Sequence, residues 1–150
     1  MDRSTFGKMM EKARKVSGLS VQQMADNMQT TFDRVRDIEL NRRDTGMGKC
    51  MKYLENTLYE IVVVKEGRVH PLPNYKALVS WMHRRSWSGT TAKFAKRLGL
   101  DRTNLGKFMN YQKGMFLSTF LMITEKLGYE VQLIQRHKDG RRKTHADKQS

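Results

Sequence analysis

A chain of 150 residues holds one ordinary domain or two small ones. Its 38% hydrophobic content, with 6 Phe, 5 Tyr and 2 Trp, suffices for a packed core and excludes wholesale disorder, and no apolar run approaches the roughly 18–20 residues of a membrane span. A net charge of +14, from 29 Lys and Arg against 15 Asp and Glu, has the sign of a partner for polyphosphate.

The charge is unevenly placed. Residues 1–74 hold 13 basic and 10 acidic side chains, whereas residues 75–150 hold 16 and 5, leaving +3 and +11. The N-terminal stretch MDRSTFGKMMEKARK lacks the apolar segment of a secretory signal, so a cytoplasmic protein is expected. The single cysteine, Cys50, excludes an internal disulfide framework and is expected simply to pack.

In chain order, Phe6, Met9, Met10, Ala13 and Val16 recur at three- and four-residue steps, which predicts an amphipathic helix closed by Gly18. Ser20, with Gln23 three residues on, forms a capping box for a short helix whose inner face is Met24, Ala25 and Met28. Thr30 or Thr31 caps the next helix, which runs to about Leu40 with Phe32, Val35 and Ile38 among its apolar positions. A fourth helix covers about 46–57, and the β-branched and aromatic run Tyr59 to Val64 prefers a strand.

The plan then repeats. A shift of 70 lays Leu19 to Ile61 over Gly89 to Val131 without a gap: Met24 meets Phe94, Ala25 meets Ala95, Val35 meets Leu105, Ile38 meets Phe108 and Met51 meets Leu121. This predicts helices at about 75–86, 91–98, 102–110 and 115–127 and a strand at 129–135. Gly99 suits the left-handed stop of the second of these helices, and Asp101 caps the third. Pro71 and Pro73 oppose helix and mark an extended linker. The expected organisation is a first unit at 1–66, a linker at 67–74, a second unit at 75–136 and a basic tail at 137–150.

Two short helices joined by a tight turn, carried by LSVQQMADNMQTTFDRVRDIELNRR and again by GTTAKFAKRLGLDRTNLGKFMNYQK, resemble the helix-turn-helix domain of the Cro and phage-repressor (XRE) family. The strands in YEIVVVKEG and YEVQLIQR resemble those following the helices in HipB-like members, where the resemblance implies pairing between subunits. It implies a mainly α fold of two tandem four- to five-helix units, each followed by a short strand. The implied role is that of a sequence-specific double-stranded DNA binder regulating transcription, a repressor by default, associated with the nucleoid and homodimeric through its strands.

In such an architecture the second helix of the motif enters the major groove while the first braces the backbone. In the second unit Arg102, Thr103, Asn104 and Lys107 occupy the outward side, with Thr90, Thr91, Gln112 and Lys113 placed for phosphates. In the first unit the equivalent stretch is mixed, with Phe32, Asp33, Arg34, Arg36 and Asp37, and Thr31, Arg34, Arg36, Arg42 and Arg43 are the candidates. That unit either reads a second, cytosine-containing subsite or serves a protein partner. An antitoxin that autoregulates and a sequence-independent architectural binder are the rival readings.

Histidines 70, 83, 137 and 145 show no metal-ligand spacing with one another or with Cys50, and no phosphate loop, nucleophile elbow or paired acidic motif occurs. No cofactor, metal or enzymatic activity is expected. Core filling is expected of Met24, Met28, Met51, Trp81 and Trp87, and a modest electrostatic role of Arg141, Arg142 and Lys143 in the tail.

Overall fold

A computed structural model describes residues 1–86 and 89–136; Trp87 and the tail arginines lie outside them. The chain forms α1 (Arg3–Val16), α2 (Val21–Asn27), α3 (Phe32–Glu39), α4 (Met47–Glu55), β1 (Tyr59–Lys65), β2 (Arg68–Leu72), α5 (Tyr75–Arg85), α6 (Thr91–Leu98), α7 (Arg102–Met109), α8 (Leu117–Lys126) and β3 (Glu130–Gln135). It is a mainly helical fold with one small antiparallel sheet, and no described helix is long and apolar enough to cross a membrane.

Local chemistry starts and stops these helices where the sequence places the signals. The Ser20 hydroxyl accepts from the Gln23 N–H at 3.0 Å while the Gln23 side chain accepts from the Ser20 N–H at 2.8 Å, a reciprocal cap for α2. Thr31, Thr90 and Asp101 cap α3, α6 and α7 through single side-chain acceptors. Gly99 ends α6 at φ +70°; Gln29, its equivalent after α2, is forced into the same left-handed region at φ +56°.

The repeat is realised in the backbone. α2 and α6, α3 and α7, and α4 and α8 each begin 70 residues apart, at Val21 and Thr91, Phe32 and Arg102, and Met47 and Leu117. The first helices instead end 69 apart, at Val16 and Arg85, because the connection from α5 to α6 is one residue longer than that from α1 to α2.

The sheet has the order β2-β1-β3, with β1 in the centre. In the β1–β3 ladder Val62 lies opposite Gln132, which is its own equivalent 70 residues on, and the flanking pairs Ile61–Leu133 and Val63–Val131 exchange under the same shift. A second crossing repeats the pattern: Gly46 bridges Phe116, the Met47 N–H donates to the Met115 carbonyl at 2.7 Å, and the Leu117 N–H donates to the Thr45 carbonyl at 2.7 Å. Reciprocal contacts of this kind are what a two-fold axis produces between identical subunits. Here the two units are related by a pseudo-two-fold axis within one polypeptide.

Two expectations are corrected by this arrangement. The strands expected to pair between subunits pair inside the chain, where β1 finds partners on both edges. The segment 67–74, expected to be a linker, contributes β2, joined to β1 by a two-residue hairpin in which Glu66 and Gly67 both have positive φ, at +51° and +76°. Pro71 is tolerated because β2 lies at the sheet edge.

One contiguous apolar cluster spans both units, from Phe6 through Val131. Met24, Met28, Met51 and Cys50 are buried in it, as expected, and burial pushes the Cys50 thiol up to about 12, so it is inert as a nucleophile near neutrality. Trp81 is fully buried and meets Tyr129 edge-on at 5.0 Å.

Candidate nucleic-acid interface

Helix α7 is anchored by Leu105, Phe108 and Met109, which are buried, so the helical period turns the opposite side outward. Arg102, Thr103 and Lys107 are exposed on it, while Asn104 is half-buried. Thr90, Thr91, Arg102, Thr103, Lys107, Asn110 and Gln112 line one open groove of about 440 Å³, with no carboxylate among its lining residues. The start of α6 thus forms one wall and α7 the other. Lys113 does not line this groove; its ammonium lies 5.8 Å from the centre of the Phe108 ring.

The corresponding surface of the first unit is larger and of mixed sign. A groove of about 830 Å³ is lined by Thr31, Asp33, Arg34, Asp37 and Arg43 and bounded by Gly114, Met115 and Phe116 of the second unit. Arg34 and Arg43 are exposed, as the sequence reading required. Arg42 is exposed too, but it pairs with Asp37 at 3.1 Å.

Arg36 is a correction. It binds Glu11 and Glu39, each at 2.7 Å, and is a half-buried partner of that network and not a lining residue of the groove. There Arg14 donates to Glu39 at 2.6 and 3.3 Å, and the Tyr53 hydroxyl donates to the same carboxylate. The Glu39 side chain has no solvent exposure, so its charge depends on these donors. The hydrogen bond from Arg36 holds the Glu11 carboxyl below its ordinary range, and burial followed by Glu39 pushes the Tyr53 hydroxyl upward.

Each of the seven ion pairs among the described residues falls between Arg3 and Asp44. The second unit has none among its described residues, and Asp101, Glu125 and Glu130 are the only carboxylates between positions 75 and 136. Arg85, Arg97 and Arg136 there donate to the Tyr129 hydroxyl or to backbone carbonyls, while Arg102 and Lys107 stand exposed with no ion pair among the described residues.

The sequence reading missed the contribution of Asn110 to the α7 groove and of residues 114–116 to the α3 groove. The first lies one position beyond α7, and the second is contributed across the pseudo-axis, which periodicity along one helix does not encode. No family model matches the chain, and no curated protein or solved structure matches it.

Proposed function

We propose that the chain is a sequence-specific double-stranded DNA-binding regulator of transcription, with α6 and α7 acting as a helix-turn-helix reader. The observation that carries this reading is the carboxylate-free groove in which Arg102, Thr103 and Lys107 stand exposed beside Thr90, Thr91 and Gln112, with no ion pair among them. Such a helix face fits a major groove about 12 Å wide. Arg102 and Lys107 would donate to the O6 and N7 of guanine, and Thr103 to base edges or phosphate. The threonines at the start of α6 would meet phosphates there, helped by the partial positive charge of a helix N-terminus.

The test is selection of bound duplexes from a random pool at two salt concentrations. Enrichment of one motif supports the proposal; uniform retention with steep salt dependence instead identifies a sequence-independent binder. Replacing Arg102 and Lys107 together by Ala is expected to lower affinity for the recovered motif by about 10- to 100-fold and to flatten the salt slope by about two. An unchanged affinity would remove α7 as the reader.

A further inference from the structure

If the chain reads duplex DNA as proposed above, the pseudo-two-fold axis decides how. We infer that a single chain occupies two neighbouring half-sites of unlike sequence, α7 on one and α3 on the other. The ligand is thus an asymmetric bipartite duplex bound by one protein molecule.

The argument starts from symmetry. Two-fold protein readers match operators whose half-sites are inverted about a dyad and lie about one helical turn, roughly 10 base pairs, apart. In this chain the Val62–Gln132 pair and the reciprocal bonds of Met47 to Met115 and Leu117 to Thr45 relate the α2–α3 and α6–α7 pairs by a pseudo-dyad of the same kind. Both helix pairs are fixed to one sheet and one apolar core, so their separation is built in. With β1 paired on both edges, completing a two-headed reader needs no second copy.

The half-sites must differ because the equivalent side chains differ. Position by position, Phe32 stands where α7 has Arg102, Asp33 where it has Thr103, Arg34 where it has Asn104, and Asp37 where it has Lys107. An exposed carboxylate at Asp33 accepts hydrogen bonds and cannot donate them, so in a major groove it selects the cytosine amino group. Exposed Phe32 offers an apolar surface for a thymine methyl, where Arg102 offers donors for guanine. Carboxylates also repel phosphate, so this half contributes discrimination, while exposed Arg102 and Lys107 of the second unit supply most of the attraction.

The experiment takes the motif recovered from the random pool and titrates the intact chain against that fragment at concentrations well above the dissociation constant, with the complex weighed by native mass spectrometry. The expected result is one chain per fragment and a motif of two dissimilar halves. Asp33→Thr is expected to change base preference about ten-fold in one half only, and Thr103→Asp to do so in the other. Two chains per fragment, a palindrome with equal halves, or a footprint confined to one half would overturn the inference while leaving DNA reading intact. Recovery of no motif would remove the DNA reading itself, and this inference with it.

Discussion

The two units share a backbone plan but hold it together with different chemistry. In the first, Glu39 at the end of α3 is buried under Arg14, Arg36 and Tyr53. In the second, the equivalent of Glu39 is Met109 and that of Tyr53 is Ile123, both buried, and His83, which aligns with Arg14 at the 69-residue offset of the first helices, reaches only the Met109 carbonyl at 3.2 Å. The frame therefore does not require ions in its interior; it requires volume and satisfied polar groups. The consequence reaches the surface. The first unit draws Arg14 and Arg36 onto Glu39, whereas Arg102 and Lys107 of the second stay exposed, so a difference in core chemistry accompanies a difference in external field.

The largest expected effect tests the ionic core directly. Arg14→Met should lower stability by about 3–5 kcal/mol, because it strips a strong donor from a buried carboxylate, and the double change Arg14→Met with Glu39→Met should recover most of that loss. Urea unfolding measures both. A single variant within about 1 kcal/mol of the parent would mean that the network is not what holds the first unit.

Next comes helix spacing. A Cβ on Gly7 would lie 2.5 Å from the Glu39 carbonyl oxygen, a backbone atom that cannot swing aside. Gly7→Ala should cost about 1–3 kcal/mol. Its aligned position in α5 is Lys76, which is exposed, and Lys76→Ala should stay within about 0.5 kcal/mol. Similar losses at the two positions would mean that the helices are equally close in both units.

The turns differ by a smaller amount. Gln29→Gly should stabilise by about 1 kcal/mol by relieving a left-handed side chain, and Gly99→Ala should destabilise by about the same, as thermal melting would record. Opposite signs would show that tertiary contacts of Gln29 outweigh its backbone strain.

The smallest effect is a dependence on pH. Because the Glu11 carboxyl is held below its ordinary value, its contribution is complete above the unfolded-state value and disappears as pH falls through the folded-state value. Between pH 7 and pH 3 the wild type should therefore lose about 1 kcal/mol or less beyond what Glu11→Gln loses, with urea midpoints as the readout. No difference would mean that the Arg36 contact is replaced by solvent.

Much of this was legible in the sequence because its information is local. Helical periods, caps at Ser20, Thr31 and Asp101, and the fixed repeat gave every helix of the described residues and the outward face of α7. What stayed hidden depends on distant partners. Glu39 sits four residues after Val35, a core position, yet a carboxylate there reads as surface until Arg14, Arg36 and Tyr53 are brought to it. Phe32, apolar by type, is 49% exposed at the start of α3. Pro71 and Pro73 argued for a connection because proline lacks an amide donor, but only the topology reveals that β2 is an edge strand.

The central position of β1 ties the ripening of the two halves together. Ile61, Val62 and Val63 are buried, and the ladder that covers one side of them comes from residues some 70 positions later. Until β3 arrives, the first half presents a bare apolar edge of the kind that recruits other strands. Cutting the chain after residue 74 should therefore yield not a smaller stable unit but a sticky one, assembling through the edge that the 150-residue chain keeps for itself.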